Sequence, residues 1–429
     1  MKTLAGCVVL GGLCALSLSA QTPVTKTYVL RAARMLDVRA GRVVTPGEVI
    51  VTGDRIVSVG AGNEPAGAEV IDLGDMTLMP GMIDAHVHLF LHPGAENSQT
   101  FDESVPQRTL IAMHQAELDL MAGFTAERDM GTEGAGSADT AVRDAINSGL
   151  YPGPRMRMSG NATDITGGHE DAIGFNPAQH ALSNADYADN ADELVKAIRE
   201  QRKQGADFTK IYETGPDHYS DGTLSAPYQY TAAELKAAVT EAARYGKGAG
   251  HSVGVHATCE PGAGYAVEAG VASIDHGYYL SPATMRMMKE KGIPAVPTFA
   301  IAEYFAEHAA SPDRAEKLKQ EQAFHAAQFK LQLAAGVPMA VGSDVGPFPH
   351  GTQARELELM VQYGMPAAQV LQADLLNGAK LLGWEGKIGE LKTGAYADVI
   401  AVQGNPVADI SATTRVQFVM KNGTVYKRP

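Results

Sequence analysis

The chain of 429 residues carries 35 Lys and Arg against 49 Asp and Glu, a formal net charge of −14, with 45% hydrophobic and 20% charged residues. That composition belongs to a globular protein and excludes a disordered or fibrous chain. The acidic balance excludes a phosphate-tracking nucleic-acid binder and a polybasic membrane-surface anchor, and three cysteines are too few for a disulfide scaffold.

In chain order, Met1-Lys2-Thr3 supplies a short positive start, Leu4 to Leu18 is apolar and small, and Ser17-Leu18-Ser19-Ala20 offers a small-residue cleavage site. Residues 1–20 therefore read as a secretory signal peptide, which predicts an exported protein, periplasmic or secreted, without membrane attachment once the leader is removed. Cleavage removes Cys7 and Cys14 and leaves Cys259 alone. Residues 21–79 read as short strands at Tyr28 to Arg31, Gly47 to Val51, Arg55 to Val59 and Glu69 to Leu73, separated by turn residues.

From Pro80 to residue 383 short apolar strands alternate with longer helical stretches. The strands are expected at Ile83–His88, Thr125–Asp129, Arg155–Ser159, Phe208–Tyr212, Val253–His256, Ser273–His276, Ala295–Phe299 and Met339–Asp344. Helices are expected at Arg108–Ala122, Ala191–Gln204, Ala232–Tyr245, Arg314–Ala335 and Pro366–Leu382. Eight strand–helix units make an α/β fold, a (β/α)8 TIM barrel. Residues 384–429 return to β character, with Val399 to Val402, Val416–Lys421 and Thr424–Tyr426 around Asn422-Gly423. The β-rich ends predict one small sheet domain shared by the two termini.

The expected strand ends carry the chemistry, as they do in barrel enzymes. His86 and His88 are two residues apart on a strand and so share a face. They are either a packed core pair or two metal ligands. Lys210, on the fourth strand, is either turned to the rim or carboxylated by CO2 into an anionic carbamate able to bridge two cations. His256 and His276 end the fifth and sixth strands, and Asp344 follows the eighth. Each alone reads as an ordinary core or turn residue. Together, four imidazoles, a bridging anion and a carboxylate suit two divalent metal ions, with Zn2+ favoured and a bridging hydroxide of lowered pKa between them.

The stretches Pro80-Gly81-Met82-Ile83-Asp84-Ala85-His86-Val87-His88-Leu89, Gly123-Phe124-Thr125, Arg128-Asp129-Met130-Gly131, Ile274-Asp275-His276-Gly277, Gly342-Ser343-Asp344, and Ile388 to Leu391 with Gly394 to Ile400 resemble the motifs of the amidohydrolase superfamily. Lys210-Ile211-Tyr212 and Gly167-Gly168-His169 are similar to its binuclear branch of Xaa-Pro dipeptidases and N-acyl amino acid hydrolases, close to the ochratoxin-hydrolysing amidohydrolases. The resemblance implies a β-sandwich built from both termini beside the barrel. It implies one metal held by His86, His88, Asp344 and carboxylated Lys210, and a second held by Lys210, His256 and His276. Asp344 would be the catalytic proton carrier, and His169, Tyr212 and His350 are expected to touch substrate. The implied reaction is cleavage of an amide or peptide bond beside a carboxylate, in a dipeptide, an N-acyl amino acid or an ochratoxin A-type aryl amide. The alternative is hydrolysis of lactones, carbamates or cyclic amides on the same ions. The partner expected is thus a small-molecule amide, and the resemblance also implies a homo-oligomer. The remaining histidines, His325 among them, read as surface or core residues.

Overall fold

The computed structural model describes residues 26–60, 62–171, 176, 182–245 and 252–429. The expected leader, with Cys7 and Cys14, lies outside the described residues, as do His180 and His251. Two sheets are built from the ends of the chain. Thr27–Ala32, Gly47–Thr52, Arg55–Val59 and Glu69–Asp72 form a four-stranded sheet. A six-stranded sheet joins Arg34–Asp37, Arg42–Val44 and Met76–Pro80 to Val399–Gln403, Val416–Lys421 and Thr424–Lys427. The junction is antiparallel, with Pro80 opposite Val399 and Leu78 opposite Ala401. Leu30, Val49, Val51 and Ile56 from the first sheet bury against Leu78, Val399, Ala401 and Phe418 from the second. The termini are held together because both sheets bury their apolar faces in this one shared core.

Between these segments, parallel strands pair in succession. Met82–Val87 pairs with Phe124–Asp129, and that strand with Arg155–Met158. The chain re-forms a strand at Ala162–Asp164, which pairs with Thr209–Tyr212. Val253–Ala257, Ser273–His276 and Ala295–Val296 follow in order. The expected strand Met339–Asp344 forms no regular ladder, yet it closes the ring by single bonds. Ala295 N donates to Pro338 O and Ala340 N to Ala295 O, both at 2.9 Å. On the other side Ala85 N donates to Val341 O (2.9 Å), Asp344 N to His86 O (2.8 Å) and His88 N to Val345 O (2.7 Å). Every residue of Met82–Val87 is buried, as expected for a strand covered on both faces.

Two further elements differ from expectation. The strand at Ala295 stops at Val296 because Thr298 adopts a left-handed φ of 53°, and a helix begins at Phe299. The last expected helix is divided by a wide π turn over Ala373–Asn377. That turn carries the buried Asp374, whose carboxylate accepts from Ile83 N at 2.8 Å at the start of the first ring strand. No helix among the described residues is long and apolar enough to cross a membrane.

Candidate metal centre and substrate cavity

Because the ring strands run parallel, their C-terminal ends gather on one side, and His86, His88, Lys210, Tyr212, His256, His276 and Asp344 all line one cavity of about 280 Å3. Its position is fixed by a close seam between first and last strands. A Cβ added at Gly342 would lie 2.4 Å from Val296 Cγ1 and 2.8 Å from His86 Cβ, so only glycine lets the backbones approach. Asp84 locks the same seam: its Oδ1 accepts from His86 N and Ser343 N, both at 3.0 Å, and its Oδ2 from Ser343 Oγ at 2.5 Å. Burial pushes the Asp84 carboxyl up to about 7 in spite of those donors.

His86 Nε2 and His88 Nε2 stand 3.2 Å apart, and Asp344 Oδ1 lies 3.3 Å from the first and 3.4 Å from the second. An ion with tetrahedral ligands at about 2.0–2.1 Å has ligand–ligand edges of about 3.4 Å, so the triangle has the size of one face of such a site. A packed histidine pair would need no carboxylate equidistant from both ring nitrogens. The rest of the expected set is adjacent. The His276 ring lies 5.2 Å from that of His86 and 4.4 Å from that of His256. Thr298 Oγ1 engages His276 Nδ1 at 2.8 Å, leaving Nε2 as the free ligand atom. His86 Nδ1 and His256 Nε2 are buried without a hydrogen-bond partner. Lys210 is 1% exposed, its Nζ 4.8 Å from the Tyr212 ring centre, pointing inward rather than to the rim.

The electrostatics favour ligand-ready protonation states at all of these groups except His88. Burial lowers the His256 and His276 imidazoles well below their ordinary value and His86 to about 4. Burial also lowers the Lys210 ammonium, against the pull of Asp275, Asp344 and Glu133. At Asp344 burial acts upward, but His86, His88 and His276 outweigh it and hold the carboxyl well below the usual range. At His88 burial opposes the charge, and Asp344 and Glu133 on either side overcome it. Beneath the cavity Arg128 spans the ring interior, donating to Ala85 O at 2.6 Å, Ser273 Oγ at 3.1 Å and Asp275 Oδ1 at 3.0 Å.

His169 and Tyr212 both reach the cavity. Their rings stack at 5.1 Å, and His169 lies 4.1 Å from the His256 ring. His350 is not brought there. It is buried behind the first strand, its Nδ1 2.7 Å from Asp119 Oδ2 and its Nε2 3.3 Å from His88 O, because the chain after Asp344 turns back over the outer helices. His350 is a structural support, and the expectation of substrate contact is corrected.

Residues that the sequence did not single out complete the site. Glu133 Oε1 lies 3.1 Å from His88 Nδ1 and accepts from Tyr212 O–H at 3.1 Å. Glu96 and Glu170 bring a carboxylate oxygen each within 4.8 Å of Glu133 and of one another. Burial pushes the Glu96 carboxyl up to about 7 and Glu170 well up. The only signal for Glu133 was its place just beyond Gly131 at the end of the second strand. Glu133, His276, Thr298 and Asp344 all hold left-handed φ angles, of 47°, 77°, 53° and 61°. Such conformations cost about 1–3 kcal/mol each and gather where surrounding structure fixes a functional geometry. The outer cavity wall is apolar, with Ile301, Phe305, Leu318 and Phe324.

The sequence signature of the Amidohydrolase family matches residues 77–426. The ochratoxinase of Aspergillus niger is 30% identical over 381 residues, covering 82% of this chain and 76% of that protein. A solved Xaa-Pro dipeptidase with methionine bound in its active site superposes with a TM-score of 0.84 at 31% identity, covering 94% of this chain and all of the other. The crystal structure of the A. niger ochratoxinase superposes with a TM-score of 0.79 at 26% identity, covering 94% of this chain and 96% of the other.

Proposed function

Because the chain belongs to the amidohydrolase family, we propose that it is a metal-dependent hydrolase cleaving an amide or peptide bond beside a carboxylate. In this reading the ring of parallel strands is a (β/α)8 barrel and the two facing sheets are its β-sandwich. The observation that carries the metal assignment is the triangle of His86 Nε2, His88 Nε2 and Asp344 Oδ1, whose edges of 3.2, 3.3 and 3.4 Å match one ion's coordination face.

His86, His88 and Asp344 would hold one divalent ion, His256 and His276 a second, with Lys210 shared between them as a carbamate. A buried lysine whose ammonium is disfavoured by its surroundings is the form that reacts with CO2. Bound ions supply Lewis acidity, polarising the scissile carbonyl and making a water at the site acidic. The chain supplies the proton path. Asp344 meets both imidazoles through Oδ1, leaving Oδ2 to take the proton of the attacking water and return it to the leaving amine. His169 and Tyr212 present polar edges to the substrate from the third and fourth strand ends. No serine or cysteine is needed; Cys259 is buried and free. The leader-like residues 1–20 add export to the proposal, and self-association completes it, readable from the mass of the particle in solution.

The test combines metal counting with a substrate panel of Xaa-Pro dipeptides, N-acyl phenylalanines, ochratoxin A and simple lactones. Two divalent ions per chain and hydrolysis of amides support the reading. One ion or none, or turnover of lactones alone, overturns it.

A further inference from the structure

The cavity wall beside His88 is acidic to a degree that amide hydrolysis does not require. Carboxylate oxygens of Glu96, Glu133 and Glu170 lie within 4.8 Å of one another, and all three residues line the cavity. Among the described residues none of them ion-pairs with a lysine or arginine; the ring nitrogens nearest them are His88 Nδ1, 3.1 Å from Glu133, and His169 Nε2, 3.6 Å from Glu170. Arg108 lies close by but spends its donors on the backbone carbonyls of Phe90, Thr132 and Glu133, which holds the turn and leaves the carboxylates free. Independently, Glu133 is 1% exposed and its Oε2 is buried with no hydrogen-bond partner. A buried carboxylate oxygen left unpaired is a cost that a ligand donor removes.

We propose that Glu96, Glu133 and Glu170 form a subsite for a protonated primary amine carried by the substrate. The inference rests on the amide-hydrolase reading and narrows it from amides in general to amides that bear an ammonium group. Three features select that chemistry. Two of the carboxylates are partly committed, Glu133 through Oε1 to His88 and Tyr212, and Glu170 through Oε2 to Asn184 Nδ2 at 3.2 Å. One oxygen from each of the three converges within 4.8 Å, which matches the three N–H donors of an ammonium. It falls short of the six or more oxygens that a hard divalent ion such as Ca2+ gathers. Finally, His88 faces Asp344 with Nε2 and Glu133 with Nδ1, so the subsite lies one imidazole ring from the candidate metal centre. A peptide places its charged amine about one residue, on the order of 3.8 Å, from the bond to be cut.

The amine has two possible sources, the free α-amine of a dipeptide or the side-chain amine of a basic residue. The zinc-loaded full-length enzyme is assayed on Ala-Phe, N-acetyl-Ala-Phe and N-acetyl-Ala-Lys, with metal content measured in parallel. A kcat/KM for Ala-Phe at least tenfold above N-acetyl-Ala-Phe assigns the α-amine; the same excess for N-acetyl-Ala-Lys assigns the side chain. In Glu170→Gln and Glu96→Gln, both with two ions per chain, that preference falls at least tenfold through KM. Equal rates on all three substrates, or a preference that both variants keep, overturn the subsite while amide hydrolysis stands. A third ion per chain lost in Glu96→Gln overturns it in favour of a metal. Turnover of no amide overturns the subsite and the hydrolase reading together.

Discussion

Glu133 Oε1 lies 3.1 Å from His88 Nδ1, while the opposite nitrogen of the same ring lies 3.4 Å from Asp344 Oδ1. The carboxylate fixes which nitrogen carries hydrogen and turns the other, as an electron pair, toward the candidate ion. Outer partners of this kind typically change metal affinity 10–100-fold. Glu133→Ala is therefore expected to weaken metal binding by about that factor. Competition with a coloured chelator reads it directly, and an unchanged affinity would show that Gly131 O, 3.2 Å from the same nitrogen, orients the ring alone.

Lys210 has no charged partner within bonding reach among the described residues and sits where two candidate ions would meet. Lys210→Ala should lower metal content and cut activity by more than the roughly 100-fold expected from losing an outer partner. Added acetate or propionate should restore part of both by occupying the space of the carbamate. Full activity in the untreated variant would remove Lys210 from the site.

At Gly342 an added Cβ meets Val296 Cγ1 at 2.4 Å, His86 Cβ at 2.8 Å and His86 N at 3.0 Å. Gly342→Ala should cost about 1–3 kcal/mol, as overpacking does. Its effect on activity should be larger, since moving a ligand by about 1 Å can cost on the order of 100-fold. Denaturant unfolding and kcat together check this; a variant that loses stability with kcat intact would show the seam yielding away from His86.

His325 packs between Phe299, at 4.1 Å, and Tyr278, at 4.2 Å, and neither ring nitrogen has a partner. Burial lowers its pKa to about 3. The unfolded chain therefore takes up a proton below about pH 6.5 that the folded chain refuses, so stability is complete above that pH and drains away as pH falls. At pH 5 the loss from this one group is about 2 kcal/mol. His325→Phe should abolish it: between pH 7.5 and pH 5 the parent should lose about 2 kcal/mol more than the variant. Parallel losses would assign the acid sensitivity elsewhere.

The parts of the site that were legible in sequence are those written by strand periodicity. His86 and His88 two apart, and His256, His276 and Asp344 each closing an apolar run, state their own direction once the strands are parallel. His350 misled because its nearness to Asp344 along the chain says nothing about the turn that carries it behind the first strand. Glu96 opens the helix Glu96–Asp102 and Glu170 lies in the segment after Ala162–Asp164, places whose approach depends on packing, and no spacing announces them. Thr298 was hidden for another reason. The apolar run Ala295–Phe299 reads as strand throughout, and only the seat it provides for His276 explains why the backbone turns left-handed there.

The seam between Asp84 and Ser343 joins residues 259 positions apart, and the His86–Asp344 contact lies on it. Contacts of such long range are formed late, because their loop-closure entropy is repaid only when the rest of the ring is in place. A nascent or truncated chain thus has His86 and His88 without their carboxylate. On the metal-dependent reading proposed above, loading would be the closing step of folding, and the ion would act as a clasp that keeps the two ends of the ring from parting.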